Sequence, residues 1–566
     1  MNFSRRWMIF LGLSLWAGAG SLFAQGLPAA YDLRSVLDGG NTVSWVPDIQ
    51  DQGYFGDCWT FASATAMDSN LLMNGLFGPV PATPPTIQIS SWALSTGNGV
   101  PESLIGPNYG GDGIHTWGGF EYQALAYVTR GQGAWAIPNV TGNSTTQITV
   151  MGGGPVFDSA PVTPANSFPA VFQNSTPANI ANLIPPANQT PVFQTRSVTM
   201  LDQGFSNNVP LPAPITPGGS TYNFNLGAAD PQVAAVKQAI TTFGAVATGM
   251  NANSYNFFNY VSNGNGTYTV NYFNPSKNPN TTDHEVTIIG WNDSYQMTDP
   301  STNITYTGAW LVQNSWGKNQ WGGTDHPNNG TFWAPYDDAA IGREAVAAFQ
   351  MGSVSPYSQT VLQNELGPLG YANNFIDGSG ILGMAQLSAR KVAGILTSTQ
   401  TGSLAALGLA TQVGGVSVQI SLYSNWINGS GTLLEQQTAT LDGVGYDLID
   451  LDTLLPITLG EQITVVLDYG QSQAAPVVIG GDGLSGYLTV TNGLSYYYDG
   501  SAWQDMANLP FEAFSGYGPD AQGGVLFLKG IMAVPEPSTT AWLIAAGGLL
   551  AVAARRRRRP LRAGES

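Results

Sequence analysis

The chain is 566 residues long, 43% hydrophobic and only 10% charged, with 70 glycines and 36 prolines. That is more than one core usually organises, and the texture argues against a helical bundle and for β-structure with long polar loops. The formal charge is −18, and setting aside the arginines at 5, 6, 555–559 and 562 with Glu536 and Glu565 leaves 10 basic against 34 acidic residues. Such a surface excludes nucleic acid as a partner and otherwise speaks to solubility.

Residues 1–24 carry two arginines, an apolar run from Trp7 and small residues up to Ala24, the pattern of a secretory signal peptide. Next comes DQGYFGDCWTFASATAMDSNLL, which contains Cys58, the only cysteine of the chain. A single cysteine in an exported protein is either chemically used or a small buried hydrophobe. Ala62, Ala66, Ser69 and Met73 recur at helical spacing, which puts Cys58 at a helix N-terminus with Trp59 packed behind it. Partial positive charge there favours the thiolate, the form that attacks carbonyl carbon.

In WGGFEYQALAYV a glycine pair, Gly118 and Gly119, precedes a helical pattern. Residues without side chains let an extended substrate backbone approach closely, although a plain loop pair reads the same way. Residues 140–225 are rich in Pro, Asn, Thr and Ser with little periodicity, and read as an insertion packed on, or looping from, a catalytic domain. DPQVAAVKQAITTFGAVATGM then gives an amphipathic helix and a strand around Gly244, Ala245 and Val246. DHEVTIIGWND begins polar and continues with the β-branched run from Val286 to Ile289, a strand with His284 at its start, where a side chain can face a cleft. The other two histidines, His115 and His326, lie in glycine-rich loops. WLVQNSWGKNQWGG follows, with Asn314 and Trp316.

After about residue 351 the chain turns to short alternating strands: Val416, Val418, Ile420 and Leu422 share one face of VSVQISLY, and ITVVLDY follows. Gly, Asn and Ser clusters between such strands mark a β-sandwich. Its Tyr496, Tyr497, Tyr498 and Trp503 read as core and edge residues before they read as a platform for sugar rings. The end of the chain combines Val534-Pro535-Glu536-Pro537, an apolar stretch over 541–554 and five arginines. The stretch is short of the roughly 20 residues of a full span, and the arginines would stay cytoplasmic.

Gln52-Gly53, Gly56, Cys58-Trp59 and Phe61, then Asp283-His284-Glu285-Val286, then Asn314-Ser315-Trp316-Gly317 stand in the order and offsets of the papain (C1) family of cysteine peptidases, which the chain resembles. The resemblance implies an α+β papain-like catalytic domain over 27–350, interrupted by the insertion, followed by an all-β sandwich domain over 355–530 that is similar to bacterial lectin-like domains. It implies Cys58 as nucleophile and His284 as acid and base, paired as imidazolium with the thiolate. Asn314 would accept from one ring N–H of His284, and Trp316 would shield that bond. Gln52 would donate to the oxyanion beside the Cys58 N–H, a contribution of about 3 to 4 kcal/mol in other acyl-transfer enzymes. Gly118, Gly119, Asp283 and Trp316 would flank the substrate, and no metal or organic cofactor is implied.

Two departures stand out: Phe55 replaces a family disulfide cysteine, and Asp57 beside the nucleophile opposes the thiolate. The start at residue 27 leaves no room for a long inhibitory prosegment, so latency is expected to come from elsewhere. Residues 534–559 resemble a PEP-CTERM sorting signal, with an ordinary tail anchor as the alternative. That signal implies an exosortase-type processing enzyme and the cell surface or extracellular matrix of a Gram-negative bacterium, with transient membrane anchoring. Expected partners are a protein or peptide substrate and, as a possible third, an extracellular polysaccharide. The rival functions are a catalytically inactive surface adhesion or glycan-binding matrix protein on the same scaffold, and an acyl-transferring enzyme using the same site.

Overall fold

The computed structural model describes residues 26–50, 52, 56–76, 193–201, 230–275, 282–317, 330–344, 346–353, 389–411, 414–470, 491–508 and 524–533, with shorter pieces elsewhere between 87 and 481. The signal peptide, Gly118 and Gly119, most of 140–225 and the sorting signal at 534–559 lie outside the described residues.

β1 (Ala30–Asp32) opens the chain, and α1 (Cys58–Met73) follows. Fifteen of the sixteen residues of α1 are buried, so it has neighbours on every side, and its polar side chains must find partners inside the protein. Ser69 Oγ accepts from Ala245 N at 2.8 Å, while Asn70 donates to Phe243 O and accepts from Met351 N. β2 (Phe193–Met200) precedes α2 (Pro231–Phe243). α2 is capped by the Asp230 carboxylate, which accepts from Gln232 N and Val233 N, with Pro231 in the first turn. It ends at Gly244, whose φ is +94° and whose missing Cβ makes room for the backbone of Ser69.

β3 (Val246–Met250), β4 (Phe258–Ser262), β5 (Tyr268–Tyr272), β6 (His284–Thr298), β7 (Thr305–Gln313), β8 (Thr331–Pro335) and β9 (Ala347–Ser353) complete the first half. The second half contributes β10 (Val361–Gln363), β11 (Lys391–Thr397), β12 (Gly402–Thr411), β13 (Val416–Ile427), β14 (Ser430–Leu441), β15 (Gly445–Ile457), β16 (Gln462–Asp468), β17 (Ser495–Tyr498), β18 (Trp503–Asp505) and β19 (Leu528–Ala533). On β13 the alternation of the sequence is the alternation of burial: Val416, Val418, Ile420 and Leu422 are buried while Ser417 and Gln419 are exposed.

One thirteen-stranded sheet joins the two halves in the order β4-β5-β8-β7-β6-β3-β9-β2-β15-β12-β19-β10, with β1 paired to β6. The second sandwich sheet runs β14-β13-β16-β11-β17-β18. The seam is β2 against β15: Gly445, Tyr446 and Asp447 pair with Thr199, Val198 and Ser197. Only glycine fits at 445, where φ is +128° and a Cβ would collide with the Val198 carbonyl. Arg196 clasps Asp450 across the same seam at 2.6 Å.

This departs from the sequence-based expectation in two respects. The region read as an insertion supplies β2, a central strand, and besides a core of its own each half contributes to a third, shared cluster. Trp59, Met67 and Leu71 of α1 pack in one cluster with Phe349, Tyr446, Leu448 and Phe527. Strands outnumber helices among the described residues, and in the first half the described helices that carry the core are α1 and α2.

Candidate active site

Gln50 and Gln52 are pinned beside 315–317 by two main-chain bonds, Gln52 N to Ser315 O at 2.7 Å and Gly317 N to Gln50 O at 3.0 Å. Asn314 N donates to Gly330 O and so fixes the chain as it leaves β7. On the other side, Thr287 Oγ1 of β6 donates to Ala62 O of α1, locking the helix to the strand that begins at His284. The first residue of α1 is Cys58 itself. Asp57 is its N-cap but makes no side-chain capping bond; its carbonyl accepts from Thr60 N and Thr60 Oγ1.

Cys58, His284, Asn314 and Gln52 are 7, 7, 2 and 6% exposed, so the group is nearly closed to solvent. His284 Nε2 lies 2.8 Å from Asn314 Oδ1. A side-chain amide oxygen can only accept, so Nε2 carries the proton and Nδ1 is left as the basic nitrogen. Trp316 stacks on the imidazole at 4.7 Å between centroids and 30° between planes, and Phe258 packs edge-on against Trp316 at 6.2 Å. The main chain at Trp59 and at Glu285 acts to lower the Cys58 pKa, against the larger effect of burial. Gln52 Oε1 accepts from Ser315 Oγ at 2.5 Å, which fixes the amide plane and directs the Nε2 end away from Ser315. Asp283 accepts from Ala252 N and so braces the strand entry.

Burial pushes the Cys58 thiol up to about 12, with the carboxylates of Glu285 and Asp57 adding to the effect. Burial also pulls His284 down to about 4, against the bond to Asn314 and the charge of Asp283. The physical cause of both shifts is desolvation, which works against the charged form of each partner taken singly in this closed pocket, whereas a charge on one partner favours the opposite charge on the other.

Two residues at the site carry roles that the sequence reading did not give them. Ser315 orients Gln52, and its signal is its place inside the Asn-Ser-Trp-Gly run. Glu285 is an acid in an otherwise apolar buried run, 3% exposed. It lines a cavity of ≈ 10 Å³, room for about one water, between α1 and β6–β7, with Gln50, Thr65, Thr287, Gln313 and Asn314. Among the described residues no cluster of His, Cys, Asp and Glu could hold a metal ion.

Comparison with known proteins adds three matches along the chain. Residues 221–328 match the papain family cysteine protease model, a span that includes His284 and Asn314 and lies downstream of Cys58. Residues 376–515 match a lectin-like domain, and 533–559 match the PEP-CTERM protein-sorting motif. None of the curated proteins matches the chain. Among solved structures, the fold is similar to the cysteine protease and lectin-like domains of Cwp84, a surface layer associated protein of Clostridium difficile. That structure has a TM-score of 0.55 and 16% identity, over 90% of this chain and 89% of that one. The Clostridial cysteine protease Cwp84 after propeptide cleavage gives a TM-score of 0.53 and 17% identity, over 87% and 97% of the two chains.

Proposed function

A papain-family cysteine protease domain followed by a lectin-like domain and a PEP-CTERM motif is the premise from which we propose an exported cysteine peptidase, hydrolysing peptide bonds through a Cys58 thioester. The observation that carries this reading is the bond between His284 Nε2 and Asn314 Oδ1, shielded by Trp316 and set beside the first turn of α1. A scaffold without chemistry has no physical need to bury a histidine with one fixed tautomer at the start of a strand bonded to the helix that begins with a buried cysteine.

In the proposed cycle, Nδ1 of His284 takes the thiol proton as the sulfur attacks the carbonyl carbon of the scissile bond. The negative charge that forms on the carbonyl oxygen is met by the Gln52 side-chain amide and the Cys58 N–H. The imidazolium then gives its proton to the departing amine as the C–N bond breaks, leaving an acyl thioester on Cys58. Water, deprotonated by Nδ1, attacks the thioester, and the acid product and free thiol are released. Proton transfer creates thiolate and imidazolium together, so each charge offsets the desolvation of the other at the moment both are needed.

The sorting motif supports export with C-terminal anchoring and processing by an exosortase-type enzyme, and the protease domain supports a protein or peptide substrate. The lectin-like half supports a carbohydrate as a further partner.

The test is digestion of an unfolded protein substrate by the purified mature chain and by Cys58→Ala, followed by mass spectrometry of the products. Cleavage by the first and none by the second is expected. No cleavage by either, under conditions where the fold is intact, would turn the reading toward an adhesive scaffold.

A further inference from the structure

The outer face of the second sandwich sheet carries a group of rings that the peptidase cycle does not use. β17 and β18 pair Tyr496 with Asp505, Tyr497 with Gln504 and Tyr498 with Trp503. Tyr497 packs against the sandwich core and Ser495 Oγ accepts from Leu526 N on that side, so alternation turns Tyr496, Tyr498, Trp503 and Asp505 outward. A fourth ring arrives from β13. The ladder of β13 and β14 shifts register between Ser424 and Ile427, with Asn425 at φ +50°, and such a bulge re-aims the side chain within it, Trp426. Asn428 and Gly429, at φ +48° and +90°, close the hairpin as an Asn-Gly turn, and a Cβ on Gly429 would collide with the Trp503 indole. Trp426 meets Tyr496 at 5.3 Å and Trp503 at 5.2 Å between centroids, and Tyr498 meets Trp503 at 5.6 Å. β16 and β11 lie between β13 and β17, so the hairpin end arches over the outer face to make these contacts. Ala393, Thr464 and Val466 on the two spanned strands face outward by alternation and are nevertheless buried, as an arch over them requires.

All four rings are part-exposed, and among the described residues the hydroxyls of Tyr496 and Tyr498 and the indole N–H groups of Trp426 and Trp503 have no hydrogen-bond partner in the protein. The hydroxyls of Tyr272, Tyr295 and Tyr336, by contrast, are all bonded. A flat apolar ring with a free polar tip matches a pyranose, whose C–H face stacks while its hydroxyls bond at the edge. The chain has no Lys, Arg or His between Lys391 and Lys529. Two carboxylates stand beside the rings instead: Asp505 is fixed by Gly493 N and Ala507 N, and Asp499 by Ser501 N, Ala502 N and Gln504 Nε2. An anionic glycan would meet both with no cation to offset its charge. We propose that Trp426, Tyr496, Tyr498 and Trp503 form the carbohydrate site of the lectin-like half, and that its ligand is a neutral polysaccharide. Sugar rings stack on the arch, and their hydroxyls bond to the free ring tips and to the carboxylates at the rim. The inference rests on reading that half, whose matched span of 376–515 contains all four rings, as carbohydrate-binding.

The experiment is native electrophoresis of the full mature chain through gels that contain a soluble polysaccharide, with β-glucan, galactomannan and dextran as neutral probes and alginate as the anionic one. Retardation by at least one neutral polymer and none by alginate is expected. Trp503→Ala should raise the polymer concentration for half-retardation by at least about tenfold, because aromatic anchors carry most of such a contact. Tyr498→Ala should raise it by about threefold. Among the described residues Trp503 is the one ring that Tyr498 contacts, so Tyr498→Ala leaves the hairpin's own contacts in place and keeps the test if Trp503→Ala does not fold. Equal retardation of the parent and both variants overturns the site and leaves the carbohydrate reading of the lectin-like half standing. No retardation of the parent by any neutral probe overturns both. Stronger retardation by alginate than by the neutral probes overturns the neutral ligand. Digestion of protein substrate by Cys58 is read in a separate assay, so its failure is distinct from each of these.

Discussion

The cleft beside α1 and the core of the sandwich bury different chemistry. Toward β6 and β7 the helix faces Gln52, Glu285, Thr287, Gln313, Asn314 and Ser315, all polar and all buried. The sandwich core is built from Val392, Leu407, Val418, Ile420, Leu422, Val465 and Leu467. Both contribute to one continuous sheet, so the difference is not one of architecture. It lies in what each region has to do: the sandwich core has only to exclude water, while the cleft has to hold a thiol, an imidazole and an amide in fixed relation. Fixing polar groups inside a protein requires that each be bonded, and the bonds that result are the site.

Substitutions can break this contrast at graded strength. The largest effect is expected for His284→Ala, which removes the base: hydrolysis should fall by at least about 10³-fold, read as kcat/KM on a peptide substrate. Gln52→Ala should lower kcat by about 10²–10³-fold with little change in KM, because the amide is used only when charge forms on the carbonyl oxygen. A protonation test comes next. His284 is held near 4 in the fold against an ordinary value of 6.5, so its stabilising contribution is complete above pH 6.5 and is lost as pH falls through 4. That amounts to about 3 kcal/mol by linkage, and a His284→Gln chain should show a flatter melting temperature between pH 6.5 and 4. The smallest effect belongs to the dry core. Ile420→Val should cost about 1 kcal/mol in denaturant unfolding and leave the cleft's pH–rate profile where it was. If the dry-core change shifted that profile, the two cores would be one functional unit, and the contrast would be wrong.

The sequence is most legible where chemistry forces identity. A nucleophile at a helix start and a histidine at a strand start need few residues at fixed offsets, and α1 begins at Cys58 and β6 at His284. The sandwich is legible for another reason: one buried face imposes a period of two, which β13 follows from Val416 to Ile420. The seam is not legible. FQTRSVTM becomes a central strand only because β15 and β9 flank it, and both partners are far away in sequence. The charge state of the Cys58–His284 pair escapes the sequence for the same reason, since desolvation depends on how tightly the two sides of the cleft close. Asp57 is visible as an opposing charge, but the larger opposition comes from Glu285, whose side chain faces the helix only once β6 is in place.

In the proposed cycle Cys58 carries the acyl group and His284 moves its proton. A peptide ester mixed with the purified chain and quenched in acid within the first turnover, then read by intact mass, addresses it directly. An acyl adduct mapped to Cys58 is expected to form in the parent chain and to be slowed by at least about 10³-fold in His284→Ala. Ester or peptide turnover without any adduct on Cys58, or an adduct that forms equally fast without His284, would contradict it.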